Sequence, residues 1–383
     1  MTARRPDEEH RVSTPLELFF DLCFVVAVAQ AGTELYHALS EGHFTHGVGA
    51  YLMVFFAIWW AWMNFTWFAS AYDVDDAPYR VAVLVQITGS LVIAAGVERA
   101  FKDSDFTVIA IGYAVMRVGL VSQWLRAAAS DPVGRRTTLR YAAGLILAEA
   151  CWLSILVIPQ GARTPCWFVF VAIDIAVPIW AERTGMTNWH PHHIAERYGL
   201  FTIIVLGESV AAATIALKTA FDTHLSASLI GVAGGGTLLM FALWWLYFAE
   251  SAGDFLTSSR RAFVWGYGHY VIFAAGAAVG AGLAVTAAHA SHTAHISRFA
   301  ASATVTIPVA IFLIAIWTLH LRHGEAAWPV PVAATIVLAL TFTGPAVLLT
   351  GLCLASLIAV IEYLKTAKAG RGPRLAAGTA QTT

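Results

Sequence analysis

The chain has 383 residues, of which 58% are apolar and only 12% charged, and its formal net charge is −1. Soluble domains of ordinary composition carry about 25% charged residues, so a water-solvated globular protein is excluded and lipid is the expected solvent. A near-zero charge with no basic stripe also excludes nucleic acid as a partner.

The first residues, Met1 to Ser13, are polar and lead into no short apolar region with a small-residue cleavage site, so no secretory signal is expected. A membrane helix needs about 20 mostly apolar residues. Such runs occur in chain order at Pro15–Leu39, His46–Phe68, Arg80–Val97, Phe106–Leu125, Thr137–Ile158, Cys166–Glu182, Tyr198–Leu217, Ala227–Ala249, Trp265–His289, Phe299–His320, Pro329–Phe342 and Pro345–Leu364. The last two are short and divided only by Thr343-Gly344-Pro345, as a hairpin or as one broken helix. The expected fold is therefore an all-α polytopic membrane protein of about twelve transmembrane helices.

With twelve spans, most Lys and Arg fall on the side of the N-terminus, including Arg4, Arg80, Arg126, Arg135, Arg197 and Lys365. Arg99, Lys102, Arg163, Lys218 and Arg298 fall on the other. The bias is roughly three to one, which places both termini in the cytoplasm of a bacterial inner-membrane protein. Trp59, Trp60, Trp62 and Trp67, and later Trp244 and Trp245, sit near span ends and read as interfacial aromatic belts.

Ile58-Trp59-Trp60 near the end of the second span is matched by Leu243-Trp244-Trp245 near the end of the eighth. Each is followed by acids (Asp73, Asp75, Asp76; Asp254) and then by Arg80 or by Arg260 and Arg261. Leu18-Phe19-Phe20-Asp21 in the first span has a counterpart in Gly199-Leu200-Phe201-Thr202 of the seventh. A period of six helices predicts two parallel repeats. The expected divisions are a cytoplasmic segment at 1–14, repeats at 15–182 and 198–364 joined by 183–197, and a disordered tail at 365–383.

Ionisable groups at membrane depth are costly and mark candidate function. Asp21, Arg117, Glu149, Asp174 and Glu208 are such groups, with Gln30, Glu34, Asn64 and Gln86 inside or near the edge. Four acids cannot all pair with one deep Arg, so proton or cation exchange competes with a packing role. Glu208 and at least two of Asp21, Arg117, Glu149 and Asp174 are expected to meet at one interior site. At about 100° per residue, His193, Arg197 and Glu208 share a face of the seventh span. Gly207 beside Glu208 is expected to admit a neighbouring backbone. Glu17 and Asp21, four apart, share a face of the first. His193 and Glu196 have a spacing that can hold a metal, but no HExxH motif is present, and neither a metal nor another cofactor is expected. Cys23, Cys151, Cys166 and Cys353 read as small buried hydrophobes.

Ser13-Thr14-Pro15-Leu16-Glu17-Leu18-Phe19-Phe20-Asp21-Leu22, Trp59-Trp60-Ala61-Trp62, Asp73–Arg80 and His193-Ile-Ala-Glu196-Arg197-Tyr198-Gly199 through Gly207-Glu208 resemble the bacterial low temperature requirement A family. The resemblance runs from about Arg11 to Leu364. It implies a multi-pass membrane protein of a family named for a cold-growth phenotype. Phe19-Phe20-Asp21 is also similar to the Phe-Ser-Asp of a bacterial and lysosomal potassium-channel family with six-helix units, although Thr202 stands where that pattern has a second Asp.

The functional expectation is a proton- or cation-coupled secondary transporter, not an enzyme, surrounded by membrane lipids and moving a small ion or solute. Its polar core comprises Asp21, Arg117, Glu149, Asp174, Arg197 and Glu208, with Glu17, Asn64, His193 and Glu196 as further candidates. Asp174 and Glu208 are the expected coupling acids, with Arg117 as counter-charge. One alternative is an ion channel lined by Phe19, Phe20 and Asp21. Another is an intramembrane enzyme using His193, Glu196 and Glu208. Assembly into a homo-oligomer stays open.

Overall fold

The computed structural model describes residues 1, 3–4, 12–222, 226–250, 253, 256, 258–322 and 327–369, and these form helices and connecting turns with no strand among them. In chain order the helices are α1 Pro15–Ser40, α2 Phe44–Tyr72, α3 Ala77–Lys102, α4 Thr107–Ser130, α5 Arg135–Ser154, α6 Gln160–Ala181, α7 Pro191–Asp222, α8 Ala227–Phe248, α9 Ser259–Ala290, α10 Arg298–Ile316, α11 Pro329–Leu340 and α12 Ala346–Ala369. Ten helical segments are long and apolar enough to cross a membrane. The two others are α5, which carries Arg135, Arg136, Arg140 and Glu149, and α11, whose 12 residues reach about 18 Å. The chain is a polytopic membrane protein.

Two compact units divide the chain. The first comprises Met1–Glu34, Thr45–Ile204 and Ala252–Phe263, and the second Leu35–Phe44, Val205–Ser251 and Val264–Thr383. Their boundary falls inside α7, and the end of α1 goes to the second unit. Continuous hydrogen bonding carries α7 from Pro191 through 198, so the expected connection at 183–197 is partly helix. Similarly, α12 runs past Leu364 to Ala369; the rest of the expected tail, 370–383, lies outside the described residues.

In the first unit, α1 starts with a capping box. The Thr14 amide donates to Glu17 Oε2 at 2.8 Å, and the Glu17 amide donates to Thr14 Oγ1 at 3.3 Å. Asp76 caps α3 by accepting from the Tyr79 amide at 3.0 Å. The α3 and α4 backbones meet at Gly89 and Gly112: a Cβ on either would lie within 2.7 Å of the other's carbonyl oxygen. Close by, Gln86 donates to Gln123 Oε1 at 3.1 Å, so this mid-span amide joins α3 to α4.

The Trp residues of α2 correct the belt reading. Trp59, Trp60 and Trp62 are buried, not interfacial. α2 is enclosed along most of its length, and the indoles fill that interior: Trp60 stacks on Phe56 at 5.8 Å, and Trp62 packs on Phe201 at 4.4 Å. In the second unit Trp244 and Trp245 are each 47% exposed, so the two Trp pairs occupy different environments despite their matching sequence. α9 is the most enclosed span there. Its Gly280 lies against α7, where a Cβ would come 2.7 Å from the Glu208 carbonyl carbon. Gly207, expected to make such a contact, has nothing within 4 Å of its Cβ position. The close approach belongs to the facing glycine.

Candidate functional site

The two long sequence motifs meet each other. Glu17 and Asp21 stand one turn apart on α1, and His193 and Arg197 one turn apart on α7. Arg197 donates from Nε to Asp21 Oδ2 at 2.9 Å, from Nη2 to Asp21 Oδ1 at 2.6 Å, and from Nη1 to Glu17 Oε1 at 2.9 Å. His193 Nε2 lies 3.1 Å from Glu17 Oε1, and Trp62 Nε1 donates to Asp21 Oδ1 at 2.7 Å. The Phe65 ring sits beneath the guanidinium at 5.8 Å. Glu17, Asp21, His193 and Arg197 are all buried. Paired forks and additional donors are what a buried charge cluster needs to offset its desolvation. The arrangement reads as a clamp whose acids are fully engaged.

Glu196 points elsewhere, accepting from the Ser13 amide at 3.2 Å. Asn64 donates back to the Trp60 carbonyl at 2.7 Å within α2. Of the Phe-Phe-Asp segment, Phe19 is exposed, Phe20 is buried against Phe65 at 4.1 Å, and Asp21 is held by Arg197.

A second centre lies where α4, α5 and α6 meet. Arg117 Nη2 donates to both carboxylate oxygens of Asp174, at 2.7 and 2.8 Å, and Trp152 Nε1 donates to Asp174 Oδ2 at 2.8 Å. Glu149 stands on the other side of the guanidinium, 3.9 Å from Arg117 Nε. Neither Glu149 oxygen has a hydrogen bond among the described residues, and the residue is only 9% exposed. Arg117 and Asp174 already cancel, so an ionised Glu149 would leave one unbalanced negative charge in the interior. A cavity of about 30 Å³, large enough for a water, borders Tyr113 and Trp152. Those two aromatics also touch the centre: the Arg117 guanidinium lies 5.6 Å from the Tyr113 ring, and Trp152 holds Asp174.

Within the first unit the deep charges fall into two groups. Arg117, Glu149 and Asp174 form one group, and Asp21 belongs to another with Arg197 and Glu17. Glu208 lies in the second unit, half-buried, with no hydrogen bond or ion pair among the described residues. Charge pairing explains the split, because each deep Arg draws its nearest acids.

The second unit holds a cluster of its own. His269 Nδ1 lies 2.7 Å from the Trp265 carbonyl and therefore donates to it, leaving Nε2 to accept from Tyr247, 3.1 Å away. Trp265 Nε1 donates to His320 Nε2 at 3.1 Å. The two Nε2 atoms are 3.3 Å apart, so two lone pairs face each other unless a proton or cation enters between them. His320 sits in a π-helical turn, Trp317–Leu321, a distortion that recurs at functional sites.

The sequence matches the family described as bacterial low temperature requirement A protein (LtrA) over residues 12–365. The chain belongs to the LtrA family. It is also 28% identical over 283 residues to an uncharacterized protein of Rhizobium meliloti (strain 1021), covering 69% of this chain and 67% of that one.

In this LtrA chain the motif residues Glu17, Asp21, His193 and Arg197 were all visible as candidates, but their mutual pairing was not. Sequence reading missed Trp62 and Trp152 as hydrogen-bond donors to the buried acids, and missed His269 and His320 altogether. The available signal for the two histidines was their place within apolar helices, where an imidazole needs a partner.

Proposed function

We propose that this LtrA protein is a proton-coupled secondary transporter of the bacterial inner membrane, with both termini cytoplasmic. The carrying observation is Glu149: a buried carboxylate with no hydrogen bond, beside an Arg already neutralised by Asp174. Taking up a proton removes the unbalanced charge, and releasing it restores one. That is a two-state element of the kind coupling requires. Asp174 is held by three hydrogen bonds, so in this reading it orients Arg117 and Glu149 exchanges the proton. Glu208, also unpaired among the described residues, is a second exchange candidate.

The test is proton flux in proteoliposomes containing a pH dye, screened with gradients of sodium, potassium, amino acids and organic acids. Wild type should acidify or alkalinise the lumen with at least one gradient, and Glu149→Gln should not. Full coupling in Glu149→Gln removes this assignment. A reporter fused after Leu364 should be cytoplasmic and one near Ser291 external.

A further inference from the structure

In the second unit, the beginnings of α8, α10 and α12 and the last turn of α9 surround a cavity of about 320 Å³. Arg298 and His289 are among its lining residues, and no Asp or Glu is. Each helix beginning brings positive partial charge, and Ser226 and Ser297 cap α8 and α10 by accepting from the Leu229 and Ala300 amides, each at 3.2 Å. At α12 the first amide with a helical acceptor is Leu349, which donates to the Pro345 carbonyl at 3.0 Å; Ala346, Val347 and Leu348 precede it and line the cavity.

Arg298 is the first residue of α10, where a cation opposes the helix dipole. Its guanidinium also lies beside the start of α12: a Cβ on Gly344 would be 3.9 Å from Nη1. No acid pairs with it among the described residues. Ser302 is 5% exposed, lines the cavity, and its hydroxyl has no hydrogen bond among the described residues. His289 Nδ1 is buried without a partner. The negative end of α9 is already occupied, since the Ala287 and Ala288 carbonyls accept from the Ser291 and Thr293 amides at 3.0 and 2.9 Å. Positive charge and unused donors therefore converge, with no carboxylate among the described lining residues.

We propose that this cavity binds a phosphoryl oxyanion. Arg298 supplies the charged fork, and Ser302, His289 and the first α12 amides supply donors from other directions. Donors spread in this way suit a tetrahedral group with several oxygens, and a helix beginning is a ready anion site. A halide would leave most of the volume empty. The phosphoryl group comes either from free phosphate or from a phospholipid headgroup. The proposal stands apart from the carrier reading, since no cavity residue belongs to the Arg117 centre.

The experiment uses the full chain purified in phosphate-free detergent, with thermal unfolding as the readout. One arm titrates inorganic phosphate against chloride at constant ionic strength. The other dopes the micelles with short-chain phosphatidylglycerol or with the matching diacylglycerol, which lacks the phosphate. Wild type should show a saturable rise in midpoint with phosphate, or with phosphatidylglycerol but not diacylglycerol; the first assigns free phosphate, the second a headgroup. Losing the charged fork should raise the half-effect concentration roughly 10- to 100-fold in Arg298→Gln. Ser302→Ala should shift it less. Arg298→Lys, which keeps the charge and loses the fork, should fall between and serves if the Gln variant does not fold. A wild type that answers neither probe, or an Arg298 variant that answers as wild type does, overturns the proposal.

Discussion

Arg197 grips Asp21 through two parallel hydrogen bonds, at 2.6 and 2.9 Å, across 176 residues of chain. The same guanidinium reaches Glu17, so one cation fastens two successive turns of α1 to α7. Removing one partner of such a buried pair leaves an uncompensated charge, at a cost of about 3–5 kcal/mol. Arg197→Gln should therefore lower the thermal midpoint sharply. The triple variant with Asp21→Asn and Glu17→Gln should recover part of the loss, because no charge is then stranded. Equal loss in both would mean that packing, not charge balance, holds the contact.

The Arg117 centre separates two acids by experiment. Asp174→Asn should destabilise the protein, since it breaks a doubly bonded pair. Glu149→Gln should leave stability near wild type, because that carboxylate makes no hydrogen bond to lose. Unfolding in detergent compares them directly, and the opposite order would reverse the roles assigned here.

For the histidine pair, the hydrogen bonds predict that both rings carry their proton on Nδ1. Trp265 donates to His320 Nε2, and the Trp265 carbonyl takes the His269 Nδ1 proton. Nitrogen NMR of labelled histidine reads the tautomer. An Nε2 proton on either ring would show that the facing lone pairs are relieved by a tautomer change.

Glycines 207 and 280 offer a matched pair. Gly280→Ala forces a methyl onto the α7 backbone and should cost about 1–3 kcal/mol. Gly207→Ala meets nothing and should be tolerated or slightly stabilising. Thermal midpoints of the two variants check the contrast.

Asp76 lies outside the spans and gives a pH test. Its hydrogen bonds to Arg126 and to the Tyr79 amide lower its carboxyl to about 2. A carboxylate depressed in the folded state stabilises above its unfolded value of about 4, and that stability is lost as pH falls toward the folded value. Asp76→Ala should cost about 1 kcal/mol at neutral pH through loss of the cap. The gap between wild type and variant should close between about pH 4 and pH 2; a gap independent of pH would remove the carboxylate from the account.

The helices were legible in the sequence because lipid demands long apolar runs, and the ionic residues because such runs tolerate few charges. Which charges meet was not legible. Glu17, Asp21 and Arg197 are set by the packing of α1 on α7, and no local pattern encodes a contact 176 residues away. The burial of Trp59, Trp60 and Trp62 was hidden for a related reason: a Trp-rich helix end looks alike in a core and at an interface. His269 and His320 lie 51 residues apart, and each alone is an unremarkable ring in an apolar helix. The capping box of Thr14 and Glu17, by contrast, spans only three residues of chain.

That capping box has a consequence for how the protein is made. Glu17 closes the first turn of α1 as soon as the turn forms, yet Arg197 is synthesised 180 residues later. At about 5–20 residues per second, the ribosome takes roughly 10–40 seconds to cover that distance. Throughout it, α1 holds two acids without their cation, and each costs about 2.5–3.5 kcal/mol if driven to the bilayer centre. The Glu17 and Asp21 anchors of α1 are thus completed only after α7 has been synthesised.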